Sequence, residues 1–218
     1  MKPRLLDLFC GAGGAAMGYH RAGFDVVGVD INPQPNYPFE FHQADAMTYP
    51  LDGFDVIHAS PPCQAYTATN ALTAARNKTR KRPLPPKLVD ETRARLVEAA
   101  VPYVIENVVG APLRHDYVLC GSMFGLRVRR HRIFEVDGAA YGLSPRCSHK
   151  TQGKVIGVFG DHPDPPRPYR TNCAVNVDNA RDAMDIDWMT WRELCLSIPP
   201  AYTEFIGKQL LAALGRAA

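Results

Sequence analysis

The sequence predicts an α/β chain organised around a mostly parallel sheet with helices on both faces, and three observations predict it. Apolar runs of strand length alternate with stretches of helical periodicity. A glycine-rich turn, Gly11-Ala12-Gly13-Gly14, follows the first run directly. Chemically active side chains, among them Asp30, Cys63 and Glu106, fall just past the ends of successive runs. In open parallel sheets ligands gather outside the carboxyl ends of the strands, where helix N-termini point outward.

Five runs have strand character: 4–9, 24–29, 54–59, 102–105 and 132–136. Between them, residues 13–22 are rich in Ala and other small residues, and residues 87–100 put Leu88, Val89, Thr92, Leu96 and Val97 on one helical face. Residues 203–217 form a further amphipathic pattern. The stretch after Val136, up to Trp188, is rich in Gly, Pro and Asp with weak periodicity, and is expected to be an irregular appendage. The expected division is therefore a core over 1–136, a short appendage over 137–188, and a segment over 189–218 that completes the core.

A chain of 218 residues has room for one well-buried core and is too short for two full-sized domains. Its 46% hydrophobic and 22% charged residues exclude a predominantly disordered state, and no apolar run approaches membrane-spanning length. With no signal-peptide pattern at the N-terminus, a cytoplasmic location is expected. The six cysteines are scattered without a short repeating spacing, which argues for reduced thiols rather than a disulfide framework. Net charge is only +3, but residues 76–87 carry six basic residues and no acid, and residues 127–132 carry four arginines. Alone, either stretch reads as a solvated face; beside a nucleophile they read as phosphate contacts.

The chemistry concentrates at the strand ends. Ser60-Pro61-Pro62-Cys63-Gln64 follows a buried-strand run, and each proline fixes its own φ and drives the preceding residue to extended conformations. A thiol on such a stiff turn is presented ready for attack, although a strand-ending Pro-Pro beside a small buried cysteine has the same appearance in isolation. The glycine turn lets backbone N–H groups approach a ligand, and Asp30 stands nineteen positions after Gly11, a spacing suited to a ribose hydroxyl pair. An adenosine-bearing cofactor follows. The spacing does not exclude NAD, because Ala16 fills the Gly/Ala slot of the dinucleotide pattern. Cys63 with Glu106 and an arginine cluster tips the balance, since hydride transfer has no need of that set.

DLFCGAGG at 7–14, SPPCQ at 60–64, ENV at 106–108 and RRHR at 129–132, in that order, resemble the cytosine-C5 DNA methyltransferase family, and residues 191–195 and 205–207 resemble its last two motifs. The resemblance implies a doubly wound, Rossmann-like fold, S-adenosylmethionine as cofactor, and double-stranded DNA as partner with the target cytosine swung out of the stack. It implies that Cys63 adds to cytosine C6, that Glu106 protonates or hydrogen-bonds N3 with help from Asn107, and that Arg130 and Arg132 sit over the base and favour ionised Cys63. Phe9, Gly11, Ala12, Gly13, Gly14, Asp30, Ile31, Asp45, Ala46 and Pro62 are the expected cofactor contacts. Gln64 and the basic insert with Arg76, Lys78, Arg80, Lys81 and Arg82 are the expected DNA contacts.

Two positions depart from the family pattern: Val128 stands where Gln is usual and Lys208 where Asn is usual, both in support of the cofactor or base pocket. The short appendage implies short or relaxed target specificity or a protein partner, in a compact, monomeric enzyme similar to the small methyltransferases of bacteriophages. Two alternatives stay open: transfer to a tRNA cytosine, and a non-catalytic DNA-binding protein on the same scaffold. Cys147, His149, His162 and Cys173 share the appendage, but their spacings fit no common zinc pattern, so no metal is expected.

Overall fold

The computed structural model describes residues 1–67, 86–138, 142–160 and 172–215. Among these, seven strands form one sheet: β1 Arg4–Leu8, β2 Asp25–Asp30, β3 Glu40–Gln43, β4 Val56–Ala59, β5 Tyr103–Asn107, β6 Tyr117–Leu119 and β7 Arg132–Asp137. Their order is β3-β2-β1-β4-β5-β7-β6. The first five pair in parallel, and β7 runs antiparallel to both β5 and β6. The two strands beyond the five expected are β3 and β6, the sheet's edges. The residues of β3 are largely exposed and β6 has three residues, so neither carries the apolar run that marks a buried strand.

Strand order reverses between β1 and β4, the switch point where a crevice opens. Register brings the carboxyl ends level: Leu8 pairs with Val29 and with Ala59, and Ala59 pairs with Ile105. Asp30, Ser60 and Glu106 therefore sit one step further along, on one rim. Because β7 runs the opposite way, its first residue, Arg132, reaches the same rim.

Five described helices complete the chain: α1 Gly14–Ala22, α2 Val89–Ala99, α3 Val177–Met184, α4 Trp191–Leu196 and α5 Pro200–Ala213. On one face α1 and α5 bury Leu5, Val26 and Phe134 with Tyr19, Tyr202 and Ile206. On the other, Val89 and Leu96 of α2 pack against Leu6, Val27, Ile57 and Ile105. Each such side chain contributes about 1.5–3 kcal/mol on full burial. The contact between α1 and α5 is close because Gly18 has no side chain: a Cβ there would lie 2.1 Å from the Pro200 carbonyl oxygen and from Thr203 Oγ1. Thr203 Oγ1 in turn donates to the Ala15 carbonyl at 2.8 Å.

The segment after β7 is more regular than its composition suggests. Asn176 caps α3, its side chain accepting from Asn179 N at 2.8 Å, and Ala180, Ala183 and Met184 are buried at helical spacing. These join Val128, Ile156, Val158 and Trp191 in a third apolar cluster. Among the described residues no helix is long and apolar enough to cross a membrane.

Candidate active site

The glycine turn is built from left-handed backbone: Phe9, Gly11 and Gly13 have φ of 57°, 50° and 85°. Gly13 then serves as the N-cap of α1. Gly11 N donates to Asp30 Oδ2 at 3.1 Å, and Asn32 N donates to Asp30 Oδ1 at 2.9 Å, so the carboxylate is fixed with lone pairs to spare. A Cβ on Gly11 would meet nothing within 4 Å, because that space is open cleft. Ile31, 64% exposed, presents an apolar surface beside Asp30. Trp188 Nε1 donates to the Ala12 carbonyl at 2.8 Å and holds the turn from the far end of the chain.

The Pro-Pro turn is tied at both sides. Ser60 N donates to the Leu8 carbonyl at 3.1 Å, and Asn107 Nδ2 donates to the Pro61 carbonyl at 2.8 Å. Cys63 opens a single 3-10 turn, Cys63–Ala65. Burial pushes its thiol up, against the Arg132 charge that pulls it down, with Glu106 adding to the rise. Arg132 and Arg130 both favour the ionised thiol, as the sequence led one to expect, but in the free protein desolvation outweighs them.

Glu106 is buried at the end of β5, and burial pushes its carboxyl up, opposed by Arg132, by a hydrogen bond from Ser60 and by Arg130. Arg132 Nε lies 2.9 Å from Glu106 Oε1, but off the hydrogen-bonding direction, so that oxygen has a charge partner and no hydrogen-bond donor. Behind it runs a buried chain: Tyr19 OH lies 2.9 Å from His58 Nδ1, and His58 Nε2 lies 2.9 Å from Ser60 Oγ. Burial holds His58 down to about 3, hence neutral. With Tyr19 donating to Nδ1, His58 Nε2–H donates to Ser60 and Ser60 donates to Glu106. Sequence reasoning missed this relay; the histidine inside the strand run, two residues before Ser60, is its visible signal.

Phe9, Gly11, Ala12, Gly14, Asp30, Ile31, Pro62, Cys63, Gln64, Glu106 and Arg132 line one cleft of about 300 Å³. Also lining it are Glu193 and Ser197, which the backbone brings back from the C-terminal segment. Glu193 completes a capping box with Thr190 and accepts Asn36 Nδ2 at 3.0 Å. Burial raises its carboxyl, but the Thr190 amide and hydroxyl and Asn36 outweigh it and hold it below the usual range. The T-W-R-E string was the available signal for this cap. A second cleft, of about 490 Å³, shares Arg132 and includes Arg129 and Phe159.

Other expected residues stand elsewhere. Asp45 turns its carboxylate onto the local backbone, accepting Met47 N at 2.9 Å, and Ala46 is packed in the α2-side core; neither lines the cleft. Gly13 shapes the turn without lining it. Asn107 spends its amide on Pro61 and its oxygen on Val108 N, so it fastens the Cys63 turn rather than facing the cleft. Arg130 donates to the carbonyls of Leu194 at 3.0 Å, Val158 at 2.6 Å and Ser197, clamping the C-terminal segment. Burial, with Arg132 nearby, lowers its pKa to about 10, and it acts on Cys63 only through its charge. Val128 is core, and Lys208 pairs with Glu204 on the surface of α5 at 2.6 Å. Arg76, Lys78, Arg80, Lys81 and Arg82 lie outside the described residues.

A sheet in this order with a reversed β7, carrying a glycine turn at its switch point, defines a methyltransferase fold. The family described as C-5 cytosine-specific DNA methylase matches residues 3–111, half of the chain, and the chain belongs to that family. In fold it is similar to a prophage-encoded E. coli protein described as a DNA modification methyltransferase, with 16% identity over 98% of this chain and 100% of that one and a TM-score of 0.63. It is also similar to the Entamoeba histolytica methyltransferase EhMeth, with 12% identity, 98% and 99% of the chains and a TM-score of 0.60. S. pombe Dnmt2 methyltransferase gives 15% identity, 98% and 99%, and 0.56. Identities this low speak to fold alone. No curated protein matches the sequence.

Proposed function

We propose that this chain transfers a methyl group from S-adenosylmethionine to C5 of a cytosine flipped out of double-stranded DNA, through a covalent bond from Cys63. The observation that carries the reading is the convergence of Cys63, Glu106 and Arg132 on the cleft that the glycine turn and Asp30 also line. The cleft suits the cofactor: open space at Gly11, an anchored carboxylate at Asp30 for ribose hydroxyls, and exposed Ile31 for an adenine face. When bound, the sulfonium supplies an electrophilic methyl.

The chain's own residues do the rest. Cys63 gives up its proton to solvent and its sulfur adds to C6, breaking the C5–C6 double bond and moving negative charge toward N3. Glu106, whose carboxyl burial pushes up toward its protonated form, delivers a proton there. C5, now enamine-like, takes the methyl; its remaining proton leaves to water, the S–C6 bond breaks, and the N3 proton returns to Glu106. Asn107 holds Pro61 and so Cys63 in line. Arg132, shared by both clefts, offsets the charge developing on the ring, and the neighbouring cleft with Arg129 and Phe159 suits a displaced nucleotide. In this reading residues 137–188 recognise the target and the basic insert contacts phosphates.

Nucleoside mass spectrometry on DNA and RNA from cells expressing the wild type and Cys63→Ala tests the proposal. Methylcytosine in DNA with the wild type alone is expected. Its appearance in RNA alone overturns the acceptor, and in neither overturns the activity. A DNA strand carrying 5-fluorocytosine is expected to become covalently attached at Cys63 when the methyl donor is present.

A further inference from the structure

We propose that Cys120, His131, Cys147 and His149 hold one structural zinc ion, which fastens the segment after β7 to the strand that carries Arg132. One ligand atom from each of the four residues lies within 4.8 Å of the others. Cys120 Sγ is 3.3 Å from His149 Nε2, and Cys147 Sγ is 2.9 Å from His149 Nε2 and 3.5 Å from His131 Nε2. Ligands on a tetrahedral zinc with ordinary Zn–S and Zn–N bonds stand roughly 3.3–3.8 Å apart, so the four atoms already approximate the coordination sphere. The two imidazole rings stand edge to face at 82°, with centroids 5.1 Å apart, and both present Nε2 to Cys147 Sγ.

The surroundings suit a metal. Ser122 Oγ donates to Cys120 Sγ at 3.4 Å and lies 3.4 Å from Cys147 Sγ, the outer-shell hydrogen bonding that steadies thiolates on a metal. Two thiolates and two neutral imidazoles make a neutral centre with zinc, and a set of two sulfurs and two nitrogens selects zinc over harder cations. On binding, both thiols release their protons to solvent and the two sulfur–metal bonds replace the S–H bonds. All four positions are filled by protein, so the site is structural.

The location gives the ion its purpose. Cys120 stands directly after β6, His131 directly before β7, and Cys147 and His149 on the segment that follows. That segment is already pinned beside the cluster: Ser148 Oγ donates to the Ser122 carbonyl at 2.8 Å, and Gln152 Nε2 donates to the Leu126 and Val128 carbonyls at 2.9 Å. Along the sequence Cys147 and His149 stand with His162 and Cys173 at spacings that fit no common zinc pattern, so no metal is expected from sequence alone. His162 lies outside the described residues, and Cys173, paired through its backbone with Gly157, is not among the clustered ligands.

The test is metal analysis and cobalt substitution on the full chain, purified reduced and without chelator. About one zinc per chain is expected. Cobalt(II) added to the chelator-stripped protein is expected to give the strong visible absorption of a tetrahedral thiolate site. Cys147→Ser and His149→Gln are expected each to lose stoichiometric metal and that spectrum, while Cys173→Ser keeps both. Chelation is expected to lower the wild-type melting temperature and leave that of Cys147→Ser unmoved. A wild-type protein that takes up neither metal, or that carries a Cys120–Cys147 disulfide instead, overturns the proposal; so does full metal retention by both ligand variants.

Discussion

Arg132 Nε stands 2.9 Å from Glu106 Oε1, so a single guanidinium at the head of β7 governs the charge felt by both the acid and the thiol of the cleft. Arg132→Ala removes a charge that pulls both groups down, so both rise further. At fixed pH less Cys63 is thiolate, and the rising limb of a single-turnover methylation profile is expected to move to higher pH, with the rate lowered by about 10²–10³. Arg132→Lys restores a point charge without the planar fork and is expected to recover only part of that loss.

Ser60→Ala deletes the hydroxyl that links His58 to Glu106. That hydrogen bond favours the ionised carboxylate, so its loss raises Glu106 further. Since the acid must carry its proton to act in the proposed reaction, the limb of the same profile set by Glu106 is expected to move to higher pH, with roughly a tenfold loss of rate from a less fixed carboxyl. A profile with both limbs where they are in the wild type would count against the relay.

Glu135, fully buried, is held by Arg93 through Nε at 2.8 Å and a second nitrogen at 2.9 Å, and by Arg114 N at 3.0 Å. Burial raises its carboxyl, but these donors outweigh it and keep it below the usual range. Its contribution is therefore present above the unfolded glutamate pKa of about 4.3 and fades as pH falls through the lower folded value. Arg93→Ala removes two of the charged donors, leaving Arg114 N and Tyr103 OH on the carboxylate, and is expected to cost about 1.5–3 kcal/mol near neutrality, read by chemical denaturation. It is also expected to move the onset of acid unfolding to higher pH.

Gly18→Ala separates two effects of opposite sign. Helix propensity alone favours Ala by about 1 kcal/mol, but the new Cβ would stand 2.1 Å from Thr203 Oγ1 and the Pro200 carbonyl. Overpacking of this kind costs typically about 1–3 kcal/mol, so net destabilisation is expected in a denaturation curve, and a gain in stability would show that α5 yields.

The parts of the fold legible in the sequence are those fixed by local chemistry. The central strands show themselves as apolar runs, the turn at Gly11 and Gly13 by residues that tolerate positive φ, and the Cys63 turn by its prolines. What was hidden depends on distant partners or on exposure. Edge strand β3 is polar because solvent faces it, and α3 was obscured by the Asp-rich segment around it, although Asn176 three residues before Asn179 is a readable cap. Arg130 and Asn107 carry side chains apt for catalysis, yet their hydrogen bonds go to carbonyls that only the tertiary fold brings near. The Cys120, His131, Cys147 and His149 set is invisible as a motif because the first two come from the sheet and the last two from the segment folded over it.

The indole of Trp188 on the Ala12 carbonyl, together with the α5 backbone against Gly18, means that the opening turn is finished by residues far downstream of it in the chain. A polypeptide cut before Trp188 leaves Ala12 without that lock, so the shape of the glycine turn is a late product of folding rather than a local one.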